Sequence, residues 1–373
     1  MKKSNIILFS LLSLLVNTNL FGSQVSLYPK DSFRIEIKHK FKDEIIAISQ
    51  FQNTQNGNES LACLSLDQER LAFIDVTNLR MDTVLRYDDK ISGVTVLSND
   101  SIYTIRKNFL LRMNSKGKIL DSINFNGIQY KNVPCFVQSM NLPIMFANQA
   151  IYMLCQPNTS KTKLYYSGPN MIKHNNLDGT NTQGVNWPEF YKSGKEYYVF
   201  DPSACINDNN EIVVSFELSD SLYVYDMDLN FKRAIYSKTD YSNFSVNAVA
   251  PNSVLYQNLD TTIDNLSSRS IYARMIYDNY RKLYYRILLL PTKNIQGENE
   301  RYYEENRYYR NFALLIYDDK LNLVGEEILS GINLNMYVFY VDESGITFLS
   351  NNPKSKDYNS KYLKFVKYGI IMK

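Results

Sequence analysis

The sequence predicts an all-β fold, a six-bladed β-propeller of four-stranded antiparallel blades. Three observations lead there: an aromatic-heavy composition, short apolar runs broken by polar turns, and one hairpin pattern that recurs along the chain. The 373 residues include 30 Tyr and 19 Phe against a single Trp, and aromatic rings suit a pleated, half-buried surface. Hydrophobic residues make up 45%, enough for a large core and against global disorder. The 14 Gly and 10 Pro are too few for a collagen-like or linker-dominated chain. Apolar runs of about five to eight residues, alternating and rich in β-branched and aromatic types, read as strand after strand.

The repeat emerges when turns are aligned. Leu71-Ala72-Phe73-Ile74-Asp75-Val76-Thr77-Asn78-Leu79 leads into Met81-Asp82-Thr83-Val84-Leu85. The same order returns at Leu110-Leu111-Arg112-Met113-Asn114 with Ile119-Leu120-Asp121-Ser122-Ile123. It returns again at Leu222-Tyr223-Val224-Tyr225-Asp226 through Asn230, and at Leu314-Leu315-Ile316-Tyr317-Asp318 through Asn322. Each copy is an apolar strand, an Asp or Asn opening a turn, an Asn or Gly near its close, and a more polar strand. Asp and Asn suit those places because their side chains bond nearby backbone and tolerate left-handed conformations. This is the outer hairpin of a propeller blade. Asp75 and Asn114 are 39 residues apart, close to the period of about 40–50 residues per blade.

Counting from these hairpins places blade one at 43–87, blade two at 91–125 and blade four at 196–237. Blade three, 134–190, carries a polar insertion through 156–186. A link, 238–268, leads to blade five, 270–330, which is interrupted by 292–311. The last unit, 335–371, supplies only three strands. Its fourth is expected from the N-terminus, Phe33 to Lys40, closing the ring without a free edge. Seven blades is the main alternative, and a two-domain β-sandwich a more distant one.

Lys2 and Lys3, the apolar run Ile6 to Val16, and the small residues Gly22 and Ser23 follow the order of a secretory signal peptide. The run falls short of the roughly 20 residues a spanning helix needs. Residues 1–23 are therefore expected to be removed, and the single domain 24–373 to reach the periplasm or exterior without membrane insertion. The first cysteine is Cys63, so no lipid-anchored N-terminus is available. The net charge of +3 includes Lys2 and Lys3; a mature chain this near neutrality has no global field for nucleic acid. Cys63, Cys135, Cys155 and Cys205 each sit in or beside an apolar run, the setting of buried thiols. Should a bridge form, Cys135 and Cys155 are the expected pair.

The segment Met275-Ile276-Tyr277-Asp278-Asn279-Tyr280-Arg281-Lys282-Leu283-Tyr284-Tyr285-Arg286 resembles the signature stretch of an uncharacterised Bacteroidales family, domain of unknown function 4221. Ala313 to Asp318 with Val324-Gly325-Glu326, Trp187-Pro188-Glu189-Phe190-Tyr191, and Gly345 to Ser350 are similar to further parts of it. The resemblance implies an exported, propeller-like protein of unknown activity, in most members a predicted lipoprotein. This chain departs by lacking the lipid-accepting Cys and by carrying Asn279 where Pro is expected. The resemblance brings no catalytic residues with it.

Chemical motifs are sparse. His39 and His174 are the only histidines, and no C-x-x-C pair exists, which excludes a His-rich or paired-thiolate zinc site. G-x-S-x-G, P-loop and G-x-G-x-x-G motifs are absent, so no cofactor is implied. Asp226-x-Asp228-x-Asn230 has half of a calcium-loop spacing, but Phe231 and Ser237 stand where Gly and Glu belong. It reads as a hairpin turn.

Five positions are candidate binding residues. Trp187 with Glu189 could hold a sugar ring between an indole and a carboxylate. Arg286 interrupts the apolar run Leu283 to Leu290, where a charge must be paired or solvated. Either it faces a ligand, or it pairs with an acid such as Asp278 or Glu304. Arg281 and Tyr285 flank it. The segment Glu298 to Arg310 repeats Arg-Tyr-Tyr, residue types enriched at binding hot spots. The expectation is a non-catalytic protein holding a carbohydrate or a protein on one propeller face. The alternative is a glycan hydrolase or lyase using carboxylates and Tyr at the channel mouth.

Overall fold

The apolar runs pair into six antiparallel sheets that form the six blades of a propeller. The structure is a computed structural model and describes residues 24–37, 41, 45–53, 58–138, 143–159, 161–193, 202–243, 267–292 and 310–372. Blade one comprises Ile45–Gln52, Glu59–Ser65, Arg70–Asp75 and Arg80–Arg86, from the axis outward. Blade two comprises Ser92–Ser98, Ser101–Arg106, Phe109–Met113 and Ile119–Asn124. Blade four runs Ser203–Ile206, Ile212–Ser215, Ser221–Tyr225 and Phe231–Tyr236. Blade five runs Ile271–Asp278, Leu283–Leu289, Phe312–Tyr317 and Leu323–Leu329.

Blade three is the irregular one. Its inner position is shared end to end by Val133–Gln138 and Met145–Ala147, both paired with Ala150–Pro157. Residues 156–186, read from sequence as an insertion, hold the helical turn Thr162–Tyr165 and the strands Pro169–Asn175 and Asn181–Asn186. Those strands complete the blade. The segment looked like a loop because the outermost strand is polar, with only Val185 buried. Outermost strands touch a neighbour on one side only, and Ile119–Asn124 and Phe231–Tyr236 are almost wholly exposed as well. Middle strands contrast with them: every residue of Ala150–Pro157, Leu283–Leu289 and Phe312–Tyr317 is buried, as unbroken apolar runs require.

Blade six closes the ring. Phe339–Asp342, Gly345–Leu349 and Tyr362–Met372 come from the C-terminal end, and Val25–Glu36 adds the outer strand. The seam runs antiparallel from Val25 opposite Met372 to Glu36 opposite Tyr362, with a register shift between Pro29 and Asp31. It begins at Val25 rather than Phe33, and His39 lies outside the described residues. Phe33 stacks on Phe365 at 5.1 Å. The seam also reaches blade five, where Gln24 N donates to Val324 O at 2.9 Å. Gly325 permits this approach, because a Cβ there would strike the Val25 carbonyl. The largest apolar cluster joins blades five, six and one around Ile35, Leu363, Phe365, Ile74 and Ile316. Smaller clusters fill the gaps between the other neighbouring blades.

The repeated turn takes the form its residues dictate. Asp226 Oδ1 accepts from the backbone of Asp228 and Asn230, each at 2.9 Å, and Asn230 Nδ2 returns a bond to Oδ2 at 3.1 Å. Asp318 does the same with Lys320 and Asn322. The residue before each closing Asn is left-handed, Leu229 and Leu321 both at φ 66°, and both side chains are buried. Asp226 therefore spends its oxygens on the turn. Among the described residues no group of three His, Cys, Asp or Glu could hold a metal.

All four cysteines are buried free thiols. Cys135 and Cys155 lie side by side but diagonally, since Cys155 stands opposite Val137 and Cys135 opposite Pro157. Gln183 Nε2 donates to both sulfurs, at 3.5 and 3.7 Å.

Two outcomes are expected. Deleting residues 24–36 leaves Tyr362–Met372 as an unpaired edge, and calorimetry should show Tm falling on the order of 10 °C or more, with self-association by light scattering. An unchanged transition in a monodisperse monomer would remove the seam from its role. The second concerns Glu211, which takes a fork from Arg233 at 2.8 and 3.0 Å and a bond from Lys232. These bonds, Arg233 first, hold its carboxyl at about 2, below the usual 4.5. A depressed folded pKa gives stability that is present above about 4.5 and lost as pH falls toward about 2. Glu211→Gln should cost about 1–2 kcal/mol at pH 7 and flatten that acid limb in pH-dependent denaturation; an equally steep limb in the variant counts against the assignment.

Candidate functional site

Each candidate binding residue has a definite place. Trp187 follows the last strand of blade three and is 2% exposed. Its ring lies 5.1 Å from Tyr166, 4.8 Å from Tyr191 and 5.3 Å from Phe216, within the apolar cluster of blades three and four. Glu189 begins the 3-10 turn Glu189–Ser193 and points to solvent, bonded to Lys192 at 2.9 Å. Indole and carboxylate do not meet.

Arg281, Tyr285 and Arg286 act between blades. Arg281 lies in the turn after Ile271–Asp278; Nη1 donates to Asp278 Oδ2 at 2.8 Å and to Asp342 O at 3.0 Å. Nη2 reaches Glu343 O, so the side chain fastens blade five to the matching turn of blade six. Tyr285 donates to the same oxygen, Asp278 Oδ2, at 3.0 Å, and burial pushes its phenol pKa up. Arg286 is 0% exposed. Its Nε donates to Ser215 Oγ at 2.7 Å and its Nη2 to Ser219 O at 2.6 Å, while the guanidinium sits 3.2 Å from the centre of the Tyr272 ring. Tyr272 in turn donates to Asp220 at 2.8 Å. Arg286 therefore neither faces solvent nor pairs with Asp278; backbone carbonyls, a hydroxyl and a π face solvate it. Of the Arg-Tyr-Tyr segment only Arg310 is described, bonded to the carbonyls of Arg269 and Leu289; 293–309 and Glu304 lie outside the described residues.

A cavity that does collect polar groups lies elsewhere, in the gap between blades two and three. It measures about 370 Å³ and is lined by Tyr103, Arg112, Asp121, Ser122, His174 and Asn176 over an aliphatic floor of Leu110, Ile123 and Ile151. Strand register builds it. Tyr103 stands opposite Arg112, and Arg112 opposite Asp121, forming one row across three strands of blade two. Ile151 stands opposite His174 in blade three and supplies the facing wall. Asn176 belongs to the outer turn of that blade, so the cavity sits at the end of the gap nearest the tight turns.

The polar groups differ in how far the protein already satisfies them. His174 is 8% exposed, its ring meets Phe125 edge-on, and its Nδ1 lies 3.0 Å from Asn181 Oδ1. Asp121 Oδ1 accepts from the Ser122 backbone at 2.8 Å. Arg112 makes no hydrogen bond or ion pair among the described residues, and its Nε is shielded from water without an acceptor.

Sequence reasoning passed over Arg112 although its signal matches that of Arg286, a charge inside an apolar strand. The difference lies in the facing blade. Blade four offers Arg286 two carbonyls and a hydroxyl, whereas blade three offers Arg112 an open space.

The family model for a domain of unknown function, DUF4221, matches residues 23–328. No curated protein matches the chain in sequence. A crystal structure of a DUF4221 member from Bacteroides vulgatus superposes with a TM-score of 0.76 at 17% identity, covering 94% of this chain and 99% of that one. A luciferin-regenerating enzyme shares the fold at a TM-score of 0.50 and 7% identity, over 90% of this chain and 95% of its own. At such identities the likeness concerns architecture alone. With a family model covering the first five blades and a member of that family sharing the whole ring, the chain belongs to the DUF4221 family.

Proposed function

We propose that this protein is an exported, non-catalytic binding propeller that holds a carbohydrate in the cavity between blades two and three. The observation that carries this reading is the cavity's lining. Leu110, Ile123 and Ile151 offer an apolar surface to the C–H face of a sugar ring, while Tyr103, His174 and Asn176 surround it with donors and acceptors for hydroxyls. Its volume of about 370 Å³ lies within the range of roughly 300–1,000 Å³ common to small-ligand sites. Asp121 is the one carboxylate in the lining among the described residues, whereas glycoside hydrolysis in its usual form takes two. That favours holding over cleaving.

Export rests on the first 23 residues. The seam already involves Gln24 and Val25, so cleavage after Gly22 or Ser23 keeps the closing strand whole, and cleavage further along would cut it. No helix among the described residues is long and apolar enough to cross a membrane. N-terminal sequencing of protein recovered from a bacterial periplasm should begin at Ser23 or Gln24; retention of Met1 in the cytoplasm would overturn the export reading.

The binding reading is tested by thermal shift with a panel of mono- and oligosaccharides on the mature chain. A glycan present at about 100 times its Kd stabilises the native state by roughly 2.7 kcal/mol, a shift of several degrees. Asn176→Trp, in the exposed outer turn of blade three, fills the cavity from its rim and should abolish the shift while leaving the unliganded Tm in place. Should no glycan move the melt, or should the shift survive Asn176→Trp, the cavity is not a sugar site.

A further inference from the structure

We infer that the ligand of this cavity carries a carboxylate held by Arg112, and is a hydroxylated acid of the uronic type. This rests on the binding reading above and narrows it. Arg112 lies next to the end of Phe109–Met113, in register between Tyr103 and Asp121. Its guanidinium lines the cavity, and its Nε is closed off from water with no acceptor. Elsewhere in the molecule half-buried and buried arginine side chains each make at least one hydrogen bond, although Arg274 Nε and Arg286 Nη1 are shielded without an acceptor just as Arg112 Nε is. Arg70 and Arg106 bond carboxylates, and Arg274, Arg281, Arg286 and Arg310 donate to carbonyls or a hydroxyl. A half-buried guanidinium left without a protein partner calls for an acceptor. Its two Nη groups, the part not shut off from the cavity, form a planar fork that matches the two oxygens of a carboxylate.

Asp121 sets what else the ligand must be. It faces Arg112 across the strand pair, yet the two are not bonded, and Asp121 accepts instead from the Ser122 backbone. The cavity therefore holds one positive and one negative group. A ligand with one carboxylate and several hydroxyls meets both, giving its acid to Arg112 and a hydroxyl proton to Asp121. A bare dianion meets Arg112 but is repelled by Asp121. The aliphatic side chains of Leu110, Ile123 and Ile151 then take the ring.

The test uses isothermal titration on the mature chain with galacturonate and glucuronate and their short oligomers, against the neutral galactose and glucose counterparts, and against sulfate. The uronates should bind at least about tenfold more tightly than the neutral sugars, as the loss of a polar partner at a built site predicts. Arg112→Gln should bring uronate affinity down to the neutral-sugar level with the unliganded Tm unchanged or raised. Arg112→Lys, which keeps the charge and loses the fork, should recover part of it. Asp121→Asn should relax the rejection of sulfate. Equal affinity for acidic and neutral sugars, unaltered in Arg112→Gln, overturns the acid assignment and leaves the binding reading standing. Sulfate bound as well as uronate also overturns it, since a bare anion would then suffice. If neither acidic nor neutral sugar binds, the binding reading itself falls.

Discussion

The backbone ladder between Val25–Glu36 and Tyr362–Met372 is the interaction on which the rest of the molecule depends. It pairs the two ends of the described chain along nearly the whole length of both strands. Without it blade six would have three strands and the sheet an open edge. The apolar cluster beneath it gathers residues from blades five, six and one, so three blades are held by a contact between distant parts of the sequence. Bringing such ends together costs chain entropy that rises only slowly with loop length, and a long ladder with a buried face offsets it. Every inter-blade gap, including the one that houses the cavity, inherits its spacing from this closure.

Within the ring, neighbouring blades are registered by polar side chains that cross the gaps. Arg286 ties blade five to the turn of blade four that contains Phe216 and Ser219. Arg281 ties blade five to blade six. Asn207 donates to the Tyr284 hydroxyl at 2.8 Å between blades four and five, and Asn108 bonds both Cys135 O and Val137 N between blades two and three. Apolar contacts alone would let two sheets slide, because burial is non-directional. Hydrogen bonds across the gap fix the slide. The cavity lies in the same gap as the Asn108 contacts, which hold its two walls at a set separation.

Much of this was legible in the residues. The Asp-to-Asn hairpin announces itself because one carboxylate must satisfy several backbone donors, and Asp226 and Asp318 do so identically. The closing strand follows from the missing fourth strand of the last unit, while its full span is hidden because Pro29 and the charged Lys30 and Asp31 mask the pattern that Val25 starts. Asn181–Asn186 reads as loop because an outer strand needs few apolar residues. Site residues were legible only as anomalies. A charge inside an apolar strand marks Arg286 and Arg112 alike, and what decides between clamp and ligand contact is the neighbouring blade, which sequence order does not reveal. Trp187 illustrates the opposite case: a residue type suited to sugar faces is spent on packing.

The seam has a consequence for how the polypeptide can be rewired. Val25 and Met372 stand opposite one another in adjacent strands, so a short linker could join them and turn the ring into a covalent circle. New ends could then be cut in any tight surface turn, such as that between Asp226 and Asn230, giving circular permutants in which a different blade is assembled from both ends of the chain. Such permutants separate the geometry of the ring from the order in which its blades are synthesised.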